Sequence, residues 1–181
     1  MTYFILILKG ETISTHDLII IGFGKAGKTL AAKMATQGKK VALIEQSPQM
    51  YGDTCINIGC IPSKTLITAA DKGKLFDASM ADKTAITTRL RKKNYDTMVG
   101  ANVEVITGSA KFIANKEIEV KTEQGTSQLT AETIIINTGA GSVVLPIKGL
   151  AESKNVFDST GIQFLPTLPK NLESLVAEIS A

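Results

Sequence analysis

Two apolar runs organise the first quarter of the chain. Asp17-Leu18-Ile19-Ile20-Ile21 and Lys40-Val41-Ala42-Leu43-Ile44 are each continuous rather than alternating, the pattern of strands buried on both faces of a parallel sheet. Lys28 to Gln37, between them, reads as a helix. Beyond Pro62, which suits the first turn of a helix, a helical stretch runs to about Ala81 and a second from Thr84 to Met98. Val103 to Ile106, Ala110 to Ile113, Glu117 to Thr122 and Gln128 to Thr130 then read as short strands, with turns at Asn115-Lys116 and Gln124-Gly125. Ile134-Ile135-Ile136 reads as a last strand. Thr160 to Asn171, which holds Pro166 and Pro169, reads as a linker.

The turn after the first strand is Gly22-Phe23-Gly24-Lys25-Ala26-Gly27. Glycines at this spacing, between a strand and a helix, form a dinucleotide-binding fingerprint: they make the turn, let backbone approach a pyrophosphate, and let helix pack on strand. Ala31 suits the same close packing. Glu45 ends the second strand, about 20 residues on, where an acid can bond ribose hydroxyls. A glycine turn in an ordinary βαβ unit is the bland alternative. The glycines alone do not choose between FAD and NAD.

The run Tyr51-Gly52-Asp53-Thr54-Cys55-Ile56-Asn57-Ile58-Gly59-Cys60-Ile61-Pro62-Ser63-Lys64 holds the only two cysteines of the chain. In a regular helix, residues five apart have Cα atoms about 8.6 Å apart, whereas a disulfide needs roughly 7 Å or less. A bridge therefore requires the backbone to leave the helix between them, and Gly59 supplies the freedom. A thiol near a helix N-terminus, with Lys64 close by, is expected to have a stabilised thiolate. The alternative is that both cysteines are small buried hydrophobes. A structural zinc site would need about four ligands, and the sole histidine, His16, is far off in sequence and expected as a solvated residue ahead of the first strand.

Composition narrows the class. A hydrophobic share of 44% and a net charge of +3 are ordinary for an α/β domain. Arg89, Arg91, Lys92 and Lys93 are balanced by Asp71, Asp77, Asp82 and Asp96 and read as a solvated helix face, not a nucleic-acid surface. Tyr3 to Leu8 is too short for a membrane span and lacks the features of a signal peptide. The cytoplasm is the expected compartment for a redox-active rather than structural pair of cysteines.

Together these motifs resemble the FAD-dependent pyridine nucleotide-disulfide oxidoreductases, which include dihydrolipoamide dehydrogenase, glutathione reductase and mercuric reductase. The resemblance rests on Gly22 to Gly27, on Gly52 to Lys64 and on Ile134-Ile135-Ile136-Asn137-Thr138-Gly139, and spans about Asp17 to Pro169. The wording around the cysteines looks most like the branch of bacterial reductases tied to reactive-chlorine and hypothiocyanous-acid defence. The fold implied is α/β: a Rossmann-like FAD-binding domain in three layers, a parallel sheet plus a three-stranded β-meander. Its implied divisions are an N-terminal extension over 1–16, the FAD domain over 17–165 and a linker or tail over 166–181.

The resemblance also implies roles. Cys60 would be the charge-transfer thiolate against the flavin, Cys55 the interchange thiol that meets substrate, and Lys64 a neighbour of the flavin ring. Gly22, Gly24 and Gly27 would hold the FAD pyrophosphate, Glu45 the ribose, and Thr54, Ala110, Thr138 and Gly139 further parts of FAD. Electrons would pass from NAD(P)H through FAD to the Cys55–Cys60 pair and on to a disulfide, oxidant or metal substrate. Three positions depart from the family pattern: Asp53 stands where the family has glycine, Asn137 where it has alanine and Lys148 where it has proline. Asp53 is expected to bring bulk and negative charge near the cofactor; the other two look tolerable.

No second glycine fingerprint follows, since Gly139-Ala140-Gly141 opens no helix. The family's histidine base from the partner subunit has no counterpart. The chain is therefore expected to be a truncated portion of a homodimeric enzyme, inactive alone, monomeric or prone to association. The alternative is a non-catalytic FAD-binding module or an inert remnant of a split or frameshifted gene.

Overall fold

The computed structural model describes residues 13–174; the Tyr3 to Leu8 run and residues 175–181 lie outside them. The elements run β1 (Ile13–Ile21), α1 (Lys25–Thr36), β2 (Val41–Glu45), α2 (Thr54–Asn57), α3 (Cys60–Asp71), α4 (Phe76–Gly100), β3 (Glu104–Thr107), β4 (Ser109–Ala114), β5 (Glu117–Thr122) and β6 (Gly125–Ile136), with short 3-10 turns at Pro48–Met50 and Gly161–Phe164. Six strands form one sheet in the order β3-β2-β1-β6-β5-β4. The first four are parallel, and β5 and β4 continue antiparallel from β6.

Both faces of β1 and β2 are buried, which explains their unbroken apolar runs. Leu18, Ile20, Val41 and Leu43 pack with Ala31 and Ala35 of α1 and Met98 of α4. Ile19, Ala42 and Ile44 point the other way, against Ile118, Val120 and Leu129 of the meander. The three layers are thus helices, parallel sheet and β-meander.

Several boundaries differ from the sequence reading. β1 begins at Ile13, because Ile13 to His16 pair with Gln128 to Ala131 of β6. His16 is consequently a strand residue, 3% exposed, with Nε2 2.8 Å from Glu104 Oε2; the expectation of a solvated residue ahead of the strand is corrected. Gln128 to Thr130 and Ile134 to Ile136 are not separate strands but one, because the β6 backbone serves β5 on one side and β1 on the other. The expected helix to Ala81 stops at Asp71. Gly73, at φ +68, closes it with Gly73 N on Ala70 O and Lys74 N on Ala69 O, the paired bonds that end helices. α4 then starts at Phe76, eight residues earlier than expected.

The stretch read as a linker also has structure. Gln163 is buried, its Nε2 donates to Ile58 O at 2.9 Å, and Lys83 Nζ donates to Gln163 O. On α4, Arg91 does not share the solvated face of Arg89, Lys92 and Lys93: its Nε donates to Asn57 Oδ1 and its Nη1 to Gln49 Oε1.

Candidate functional site

The carboxyl ends of the parallel strands carry the glycine turn. Gly22 adopts φ +101, and a Cβ there would lie 2.7 Å from the Asn137 carbonyl carbon. This close approach joins the two strand ends, with Gly22 N on Ile44 O and Asn137 N on Ile21 O, both at 2.7 Å. Gly24 is the residue before α1, and no side chain caps that helix. A Cβ on Gly27 would meet Ile20 Cγ2 at 2.8 Å, so the third glycine lets helix pack on strand. Asn137 fills the remaining space. Its amide lies against Gly24 and Gly27, with Nδ2 buried and unpartnered among the described residues.

Glu45 is buried at the end of β2. Its Oε2 accepts from Phe23 N at 2.9 Å and its Oε1 from Ser47 N at 3.1 Å, which orients the carboxylate and leaves lone pairs on both oxygens. A cleft of about 170 Å³ brings together Gly22, Glu45, Ala110 and Thr138, with Gly108 and Ser109 beside them. Gly24, just before α1, and Gly27, within it, are not among the residues that line this cleft. Gly139 follows Thr138, exposed and at φ +79.

The segment that holds both cysteines is a broken helix, the departure that a bridge between them would need. Thr54 and Cys55 open α2, Ile58 and Gly59 interrupt it, and Cys60 starts α3. A Cβ on Gly59 would stand 3.0 Å from Thr54 O and 3.2 Å from Cys55 Cα, so the break folds tightly back on α2. Both cysteines are exposed and unbridged, which removes the buried-hydrophobe alternative. The Cys55 thiol is pushed up from its ordinary value, first by its hydrogen bond with Cys60, then by burial and by the charges of Cys60 and Asp53. Lys64 is exposed and lines a different cleft, between α3 and α4, with Thr65, Lys72 and Asp82.

Asp53 behaves unlike the expectation. Its backbone sits at φ 94, ψ 174, a region that only glycine enters freely, which accounts for glycine in the family pattern. Its carboxylate turns inward: Oδ2 pairs with Lys28 Nζ at 3.0 Å and Oδ1 accepts from Ile56 N at 3.2 Å. The bulk is absorbed by the protein and the charge is matched. Lys28, which the sequence reading did not single out, is buried and also donates to Gly52 O at 2.6 Å and Asn94 Oδ1 at 2.7 Å. A signal existed, since positions 28, 31 and 35 share the buried stripe of α1.

A strand–glycine–helix turn at the carboxyl ends of a parallel sheet defines a Rossmann-like nucleotide-binding fold, and the same domain carries two exposed cysteines on a broken helix. The family model for pyridine nucleotide-disulphide oxidoreductase matches residues 16–175, and the chain belongs to that family. It is 46% identical over 161 residues to the probable pyridine nucleotide-disulfide oxidoreductase RclA of Escherichia coli (strain K12), covering 88% of this chain and 36% of that protein. It is 33% identical over 175 residues to a mercuric reductase of Lysinibacillus sphaericus, covering 87% and 31%. The solved structure of the HOCl-induced flavoprotein disulfide reductase RclA from Escherichia coli superposes with a TM-score of 0.79 at 47% identity, over 85% of this chain and 35% of that one. The chain thus spans about a third of the length of these relatives. Among the described residues no group of side chains is arranged to hold a metal ion, and no helix is long and apolar enough to cross a membrane.

Proposed function

We propose that this chain is the FAD-binding, dithiol-bearing portion of an NAD(P)H-dependent flavoprotein disulfide oxidoreductase. The observation that carries the reading is the convergence of Gly22, Glu45, Ala110 and Thr138 on one cleft, in a fold that also presents two exposed thiols at the heads of a broken helix. The residues fit a dinucleotide. The uncapped N-terminus of α1 offers backbone N–H groups to a pyrophosphate, held by Gly22, Gly24 and Gly27, and the oriented Glu45 can accept from ribose hydroxyls. Thr54, Lys64, Ala110, Thr138 and Gly139 would complete the FAD contacts. When bound, FAD supplies a two-electron relay between NAD(P)H and the cysteine pair.

In the reduced pair, the Cys55 thiolate attacks one sulfur of a substrate disulfide, forming a mixed disulfide and expelling the first substrate thiolate. The Cys60 thiolate then attacks the Cys55 sulfur, closing the Cys55–Cys60 bond and expelling the second. The pair loses two electrons and the substrate gains them. The proton held between the two cysteines leaves with the products. An oxidant or metal substrate would draw on the same two electrons.

The test is the visible spectrum of the purified chain after FAD loading and desalting, before and after a dithiol reductant. Retained flavin with a long-wavelength shoulder on reduction supports this reading, with Cys60 against the ring. Retained flavin without the shoulder, unchanged by Cys60→Ser, supports a non-catalytic FAD-binding module. No retained flavin overturns the proposal for this chain.

A further inference from the structure

We propose that the buried Lys28–Asp53 pair is a positioning device that couples the dinucleotide-binding helix to the dithiol and tunes the reactivity of Cys55. The inference rests on the reading of Cys55 and Cys60 as the redox couple.

Lys28 has three N–H donors and three acceptors: Gly52 O, Asn94 Oδ1 and Asp53 Oδ2. It therefore ties the first turn of α1 to α4 and to the residues that enter the redox segment. Asp53 carries the link onward, since its second oxygen caps α2 at Ile56 N, and Cys55 is the second residue of that helix. Tyr51 adds a parallel support: its ring lies 5.2 Å from Phe23 of the glycine turn. The turn expected to receive FAD and the helix that carries the attacking thiol are thus held as one body.

Stability alone does not account for the pair. A buried ion pair generally stabilises no better than apolar side chains of the same volume, and Asp53 holds a strained backbone that glycine would adopt freely. Both costs fall at the entrance to the cysteines. The charged and titratable groups around this segment are Asp53 at the head of α2, Cys60 at the head of α3, Lys28 from α1 and Arg91 from α4. Of these, Cys60 and Asp53 act directly on the Cys55 thiol. Lys28 acts through Asp53 by neutralising its charge.

The experiment follows alkylation of Cys55 against pH, with mass-spectrometric assignment, in the full 181-residue chain and in Asp53→Asn and Lys28→Met. A prior titration of the wild-type chain in glutathione buffers asks whether Cys55 and Cys60 close on each other; failure there sinks the redox reading itself. If they close, Asp53→Asn should move the Cys55 midpoint down and Lys28→Met should move it up, each by on the order of half a unit to one unit. Mere loosening of the segment would move both variants the same way. Shifts of one sign, or none, overturn the inference. Should Lys28→Met fail to fold by circular dichroism, Asp53→Asn decides alone, because it keeps the size and the capping oxygen: an unchanged midpoint overturns the inference.

Discussion

Gly24→Ala provides a sharp test of how the glycine turn is packed. Gly24 has φ −66 and ψ 162, open to any L-residue, so the substitution costs nothing in backbone conformation. The obstacle is Asn137: a new Cβ would lie within 3.0 Å of its Nδ2 and 2.8 Å from its Cγ. Overpacking of this kind costs about 1–3 kcal/mol. With a urea slope of about 2 kcal/mol/M, the unfolding midpoint falls by about 0.5–1.5 M. Asn137→Ala removes both offending atoms and deletes a buried amide nitrogen that has no partner, so alone it is close to neutral. In the double variant the two nearest atoms are gone and the next, the carbonyl oxygen of position 137, is 3.1 Å from the Cβ. The double variant should therefore recover most of the loss, a coupling of about 1–2 kcal/mol. Gly22→Ala is the control. Its Cβ would meet backbone at Asn137 and its φ is +101, so Asn137→Ala should not rescue it. Strict additivity of Gly24→Ala and Asn137→Ala, or equal rescue of both glycine variants, would refute this account.

Asp53→Gly relieves about 1–3 kcal/mol of backbone strain but leaves Lys28 buried without its counter-charge, a loss of about 3–5 kcal/mol; the expected net result is a drop of about 2 kcal/mol in urea, and an Asp53→Gly chain as stable as wild type would contradict the pairing. Cys60→Ala removes the largest cause of the raised Cys55 value, so Cys55 should alkylate faster between about pH 7.5 and 9, measured by iodoacetamide labelling; slower labelling would reverse the assignment. Because the folded Cys55 value lies above the unfolded one, its small contribution to stability is complete below the unfolded value and is lost as pH rises through the folded value. Val143, Val144, Leu168 and Leu172 are all more than 60% exposed; sedimentation velocity should show concentration-dependent association that serine at all four positions lowers.

What local patterning controls was legible in the sequence. The buried runs of β1 and β2, the glycine turn and Glu45 announce themselves within about 30 residues, and Glu117 to Thr122 forms β5 with the expected bounds. That a bridge between Cys55 and Cys60 would need a break in the helix followed from helix geometry alone, and the break is there. What failed depends on partners remote in the chain. His16 is strand because Ala131 lies opposite it, and Gln128 to Thr130 joins Ile134 to Ile136 because two neighbours demand the same backbone. Gly73 was a local signal overlooked: a glycine between two lysines, after an apolar stretch, is an ordinary helix stop. Asp53 misled for a different reason. Its charge was visible, but only the approach of α1 shows Lys28 waiting for it.

The double duty of β6 has a consequence for how the chain is made. Thr15 and Thr130, 115 positions apart, share a side-chain hydrogen bond across β1 and β6. At about 5–20 residues per second, a ribosome needs about 6–23 s to travel between them. Throughout that interval one edge of β1, which carries the apolar run Leu18 to Ile21, has no neighbour to cover it. β5 packs against the face of β1 but cannot pair with that edge, because in the sheet its neighbours are β4 and β6. The nascent chain is thus held as an open half-sheet until β6 emerges, and a holdase that shields Leu18 to Ile21 in those seconds would govern yield without altering the finished protein.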